Sequence, residues 1–168
     1  MDVSQRRVME FQDEILAAAD REGLPPTLLA GLIYTESGGD PWAIRIERGF
    51  WRRYYDGIRR ALLGNNPKRL AKWLRYPDLV AASYGLCQIM LVVAVENGFD
   101  ARFPTALLDP RTNIDLGAKI LAKHIRNRGG DRDAGLLRYN GGADKEYPRR
   151  VDWASRQFAA LVGERLGT

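Results

Sequence analysis

Apolar positions along this chain recur mostly with a helical period. Val8, Phe11, Ile15 and Ala18 fall at i, i+3, i+7 and i+10, which predicts a helix capped by Ser4 and stopped by Gly23. A second helix is predicted from about Pro26 to Glu36, burying Leu28, Leu29, Leu32 and Ile33, with Gly38-Gly39 and then Pro41 ending it. Phe50, Tyr54, Ile58 and Leu62 form an i+4 stripe for a third helix, and Asn66-Pro67 opens a fourth carrying Leu70, Trp73 and Leu74. Tyr84 to Asn97 is apolar almost all round (Leu86, Ile89, Met90, Val92, Val93, Val95), which predicts the central buried helix. Asp109-Pro110 is an N-cap/N1 pair for a helix to about Asn127, with Ile114, Gly117, Leu121 and His124 inward. Asp131 starts a short helix to Tyr139, broken by Asn140-Gly141-Gly142, and a last helix from about Glu146 buries Val151, Ala154, Phe158 and Leu161. No stretch alternates with period two over strand length, so the expected fold class is all-α or nearly so.

Composition narrows the chemistry. The 168 residues suit one domain, 1–168, able to bury a core without covalent staples. One cysteine excludes an internal disulfide, and with a single histidine the chain has no zinc set of its own. No metal or cofactor is therefore expected, and catalysis would fall to carboxylates, hydroxyls and amides. Met1 to Arg7 runs into a mixed polar pattern without a signal-like apolar stretch, and nothing approaches the roughly 20 apolar residues of a membrane span. The expectation is a soluble protein, made in the cytosol and carried outward by another agent if its substrate lies there. The net charge of +5 favours polyanions without choosing among nucleic acid, anionic lipid and cell envelope.

Three segments carry candidate chemistry, each with a plainer reading beside it. Glu36 ends an apolar helix just before Ser37-Gly38-Gly39-Asp40-Pro41. The macrodipole and apolar neighbours both disfavour its charged form, the condition a general acid near neutral pH requires. The plain reading is a solvated glutamate at a helix end. Gln88 is an amide among apolar residues, suited to a sugar hydroxyl or acetamido group, or else satisfied by backbone. Tyr139, Asn140 and Tyr147 flank flexible glycines and would wall a sugar cleft, or else form a helix cap with a core tyrosine.

Taken in order, these segments resemble a known family. Glu36-Ser37-Gly38-Gly39-Asp40-Pro41-Trp42-Ala43 resembles the E-S-x-x-x-P-x-A motif of soluble lytic transglycosylases, and Gly85-Leu86-Cys87-Gln88-Ile89-Met90 their G-L-M-Q-I-M. Asp109 to Gly117 is similar to D-P-x-x-N-I-x-x-G, Tyr139-Asn140-Gly141-Gly142 to A-Y-N-x-G, and Tyr147-Pro148-Arg149-Arg150-Val151 to Y-V-x-x-V. The resemblance spans roughly residues 24 to 152 and implies a lysozyme-like helical fold, of the goose-type lysozyme kind, with a cleft for peptidoglycan strands. It implies Glu36 as the single acid/base, and Ser37, Gln88, Ile89, Met90, Tyr139, Asn140 and Tyr147 around the scissile sugar. Asn113 would buttress the cleft rather than touch substrate. The expected protein is a monomer with no nucleic-acid partner, acting on the bacterial wall; its small size, basic charge and lack of a signal-like stretch fit delivery by phage lysis machinery or a virion.

Three departures qualify the match. Cys87 stands where Met or Phe is usual, and is expected to pack rather than react. Ser83 stands, at a shifted spacing, for a serine that contacts the acetamido group. About forty residues, 44–82, form an insertion carrying Phe50, Trp51, Tyr54, Tyr55 and Trp73 among basic residues. They would be either an extra helical hairpin packed on the body or a cleft wall that stacks sugar rings.

Two further readings remain open. In hydrolysis of goose-type kind, a second carboxylate among Asp40, Glu47, Asp56 and Asp78 would activate water. A catalytically silent glycan-binding or phage structural module would bind without releasing fragments. Nucleic-acid binding rests on charge alone, would weaken steeply with salt, and has no recognised reader motif.

Overall fold

The computed structural model describes residues 1–47, 49, 53, 54, 56, 57, 75–100 and 103–166, with side chains through residue 159. Of the helix expected along Phe50, Tyr54, Ile58 and Leu62, residues 53, 54, 56 and 57 are described and are helical; its other residues, the helix expected after Asn66-Pro67, and Trp51, Tyr55 and Trp73 lie outside the described residues.

The first apolar face belongs to two helices rather than one. α1 (Val3–Met9) is opened by Asp2, not Ser4: the Asp2 carboxylate accepts from the Gln5 N–H while the Gln5 side chain accepts from the Asp2 N–H. That reciprocal capping box satisfies the first donors two residues earlier than expected. After a turn at Glu10-Phe11, α2 (Gln12–Glu22) runs to Gly23, which closes it at φ 68°. α3 (Pro26–Ser37) starts with Pro26, whose missing N–H costs nothing there, and ends at Gly38 with φ 61°.

Beyond α3 come β1 (Ile44–Ile46), the short α4 (Pro77–Val80), β2 (Ala82–Tyr84), β3 (Ile89–Met90) and α5 (Leu91–Glu96). A 3-10 turn, Pro104–Leu108, leads to α6 (Pro110–Arg126), α7 (Arg132–Tyr139) and α8 (Tyr147–Leu166). The expected caps hold: Asp109 accepts from the Thr112 N–H at 2.8 Å and Asp131 from the Ala134 N–H at 3.0 Å.

The structure corrects the reading of Tyr84 to Asn97 as one helix. Tyr84 ends a strand, residues 85–88 make a turn, and only Leu91–Glu96 is helical. Burial on all sides is shared by buried strands and buried helices, so periodicity does not separate them. The strands form a small antiparallel sheet, order β1-β2-β3, pairing Arg45 with Ser83 and Ser83 with Met90. Glu47 N–H bonds to the Ala81 carbonyl at 3.0 Å, so the chain between them leaves and returns at one end of this hairpin.

The buried central helix is α3, where Leu28 to Ile33 are buried without interruption. α8 lies along it, burying Val151, Ala154 and Phe158; the Leu161 side chain is outside the described set. On α6, Ile114, Gly117 and Leu121 face inward as expected, and His124 is half-buried. The fold class is thus helical, as expected, with a small three-strand sheet. No helix among the described residues is long and apolar enough to cross a membrane.

Gly31 sets the α3–α8 spacing. A Cβ there would stand 2.3 Å from Ser155 Oγ and 2.8 Å from the Val151 carbonyl oxygen. Gly31→Ala is predicted to lose about 1–3 kcal/mol by overpacking, outweighing the roughly 1 kcal/mol that alanine gains in helix propensity. Chemical denaturation of the two proteins checks this; equal or higher stability of the alanine variant would show that the helices separate freely.

Candidate active site

Glu36 stands in the last turn of α3, and Tyr147 is the first residue of α8. The antiparallel packing of these helices carries the Tyr147 hydroxyl to Glu36, where it donates to Oε1 at 2.5 Å. Burial raises the Glu36 carboxyl above its ordinary range. The Tyr147 hydrogen bond and the charges of Arg45 and Arg150 pull it down, while Glu47 adds to the rise. Desolvation wins, so a carboxyl at a helix C-terminal end is held toward its protonated form. Tyr147 is 1% exposed, and burial with the nearby Glu36 charge keeps its phenol protonated.

A turn at residues 85–88 forms the adjoining wall, and its shape is fixed by buried polar contacts. Asn113, fully buried on α6, accepts from the Cys87 N–H at 2.7 Å and donates to the carbonyls of Tyr84 at 2.9 Å and Leu107 at 2.7 Å. These bonds tie the turn at residues 85–88 to α6 and to the 3-10 segment ahead of it. Gly85 takes φ 70°, and a Cβ on it would lie 2.7 Å from Asn113 Nδ2. Gln88 adopts φ 48°, strained for a residue with a side chain, and its Nε2 donates to the carbonyls of Gly85 at 2.9 Å and Ala43 at 3.2 Å. Ala43 also receives the Gly85 N–H at 2.8 Å, so the start of β1 is tied to the same turn.

Tyr139 reaches in from the end of α7 and donates to the Cys87 carbonyl at 2.8 Å. Burial, with the charges of Cys87, Glu36 and Tyr147 after it, holds its phenol well above the ordinary range. The Cys87 thiol is likewise raised by burial and packs against Gly117, where a Cβ would come within 2.6 Å of Sγ. That is the environment of a small apolar filler rather than a nucleophile.

The remaining candidates divide by position. Ser37 spends its hydroxyl locally, donating to the Ile33 carbonyl and accepting from the Gly39 N–H, both at 3.2 Å. Ser83 is buried in β2 between Arg45 and Met90. Ile89 is buried, Met90 is half-buried ahead of α5, and Asn140 caps α7 half-buried. Gln88, Tyr139, Asn113, Glu36 and Tyr147 thus share one neighbourhood, while Ser37 belongs to the helix end. Sequence reasoning missed Arg45 and Arg150, whose charges reach Glu36, while Glu47, one of the four candidate second carboxylates, reaches it too. Arg150 was findable, lying three residues after Tyr147 with its guanidinium 5.7 Å from the tyrosine ring centroid. Arg45 and Glu47, joined at 2.6 Å, come near only through the sheet. Among the described residues no group of three or more His, Cys, Asp or Glu is placed to hold a metal ion.

Comparison with known proteins finds one family model, described as the transglycosylase SLT domain, matching residues 13–150. No curated protein and no solved structure matches the chain.

The raised Glu36 carboxyl has a consequence for stability. Between the ordinary value of 4.5 and its raised folded value, the native state binds more protons than the unfolded chain, so stability falls as pH rises. Glu36→Gln removes that loss and keeps an acceptor for Tyr147. Its melting temperature is predicted to exceed wild type at neutral pH and to converge with it below pH 4.5. A gain independent of pH, or a loss at neutral pH, would contradict the buried, protonation-favouring site.

Proposed function

The chain belongs to the transglycosylase SLT domain family, and we propose that it is a peptidoglycan lytic transglycosylase cleaving the MurNAc–GlcNAc β-1,4 bond with Glu36 as acid and then base. The observation that carries this reading is the half-buried Glu36 carboxyl, raised by burial and held by Tyr147 at 2.5 Å.

In this mechanism Glu36 gives its proton to the glycosidic oxygen as the bond to the anomeric carbon breaks. The MurNAc acetamido carbonyl closes onto that carbon and carries the positive charge. Glu36, now a carboxylate, takes the proton of the same sugar's C6 hydroxyl as its oxygen displaces the acetamido group. The 1,6-anhydro ring closes, Glu36 regains its proton, and no water is consumed. The Tyr147 hydroxyl stabilises the carboxylate between the two proton transfers and fixes its direction. Gln88, Met90, Tyr139, Asn140 and Ser83 would surround the sugar, with Ile89 and Ser37 framing it and Asn113 bracing the turn behind.

One observation favours hydrolysis as a second reading. Of Asp40, Glu47, Asp56 and Asp78, Glu47 is the one whose charge reaches Glu36. A carboxylate so placed could activate water against the anomeric carbon, although its pairing with Arg45 at 2.6 Å already engages it.

Digestion of purified peptidoglycan with mass spectrometry of the sugar ends separates these outcomes. Anhydro-muramoyl ends are expected, with Glu36→Gln slower by about 10²–10⁴, the general-acid contribution. Reducing ends lost on Glu47→Gln would establish the hydrolase, and binding without release would leave a glycan-binding module. Tyr147→Phe removes a bond that lowers the Glu36 carboxyl, so the alkaline limb of kcat/KM is predicted to move to higher pH. An unmoved limb would remove Tyr147 from the proton-transfer step.

A further inference from the structure

One carboxylate both opens α8 and anchors a cation on its first turn. Asp144 Oδ1 accepts from the Glu146 N–H at 3.0 Å, and the Asp144 carbonyl accepts from the Tyr147 N–H at 3.3 Å. The other carboxylate oxygen takes the Arg150 guanidinium at 2.5 Å, and that bond is the first cause holding the Asp144 carboxyl below its ordinary range. Both partners are therefore charged at neutral pH.

Arg150 stands one helical turn beyond Tyr147, with its guanidinium 5.7 Å from the centroid of that ring. Half of the Arg150 side chain is exposed, and an exposed pair of this kind adds little to stability. Holding the helix together is thus a poor account of the clasp. What it fixes is the place of a positive charge. The guanidinium lies over the phenol that donates to Glu36, and it favours the charged form of both groups.

The other groups facing Glu36 do not duplicate this. From β1, Arg45 arrives bound to Glu47 at 2.6 Å, and the two act on Glu36 in opposite senses. From the turn at residues 85–88 comes the Cys87 thiol, and from α7 the Tyr139 phenol, both kept neutral by burial. Of all these groups, Arg150 is the one lying over the ring bonded to Glu36.

We infer that Asp144 and Arg150 form a positioning pair for the acid: Asp144 fixes the Arg150 guanidinium over Tyr147, and the fixed charge sets how readily Glu36 releases and regains its proton. This deepens the transglycosylase reading above and rests on it for its catalytic meaning. Burial alone would leave Glu36 too weak an acid to give up its proton, and a cation held nearby offsets that most when the carboxylate is transient between two proton transfers. Neither residue is required to touch the sugar.

Two readouts test the pair: the carboxyl-carbon NMR titration of Glu36, and the alkaline limb of kcat/KM on purified peptidoglycan. Arg150→Gln is expected to move both to higher pH, while Arg150→Lys, which keeps the charge, stays nearer wild type. Asp144→Ser keeps a cap acceptor for the Glu146 N–H but is uncharged and too short to hold the guanidinium. It too is expected to move both readouts to higher pH. The sign is decisive, because an Asp144 charge acting directly on Glu36 would, once removed, move them to lower pH. No shift in Arg150→Gln, a lysine variant shifted as far as the glutamine one, or no shift or a downward shift in Asp144→Ser overturns the inference. If wild type cleaves no glycan, the transglycosylase reading fails, and the NMR titration judges the pair by the same outcomes.

Discussion

The candidate chemistry depends on how closely α8 can lie against α3. Gly31 lets Ser155 and the Val151 carbonyl come to distances that any side chain would forbid. That approach puts Tyr147 beside Glu36, residues 111 positions apart in sequence. A carboxyl at a helix C-terminal end in water would be an ordinary acid. Here the neighbouring helix removes much of its water and supplies one hydroxyl donor, so the proton is held but can be released. The same helix pair lines the groove that Tyr34 and Thr35 share with Trp153 and Arg156.

A second constraint is polar. Asn113 makes three hydrogen bonds in a fully buried position, and each fixes a backbone group of the turn or of the 3-10 segment behind it. Leaving any of those groups unmatched would cost about 1–3 kcal/mol, so the turn has one stable shape. Through the Cys87 carbonyl that shape orients Tyr139, and through Gln88 and Ala43 it orients the first strand. Rigidity in the wall and burial at Glu36 therefore have different sources, one a hydrogen-bonded hub and the other helix packing.

Much of this was legible in the residues alone, and the failures have identifiable causes. Asp109-Pro110, Asp131 and Gly38 marked helix ends correctly because a cap acts within three or four residues, all visible in one short window. Glu36 stood out because its helix end and apolar face are equally local. Ser4 was displaced as a cap by Asp2, whose reciprocal bond with Gln5 is the stronger local solution. The 84–97 stretch was misread because its apolar character expresses burial, which a strand, a turn and a helix all satisfy.

By itself, the sequence determined the helical class, most of the helix boundaries, the ordered motifs from Glu36 to Val151, and the identity of the candidate acid. Capping, glycine stops and apolar periodicity are interactions of near neighbours, so the order of residues carries them. Tertiary structure alone decided that Asn113 takes the Tyr84 and Cys87 backbone groups 29 and 26 residues away and so fixes the turn between β2 and β3. It also decided that Arg45 and Glu47 come within electrostatic reach of Glu36, and that Trp153 remains exposed beside a charged groove. Those outcomes depend on which surfaces meet once helices and sheet pack, and no local pattern along the chain specifies that meeting.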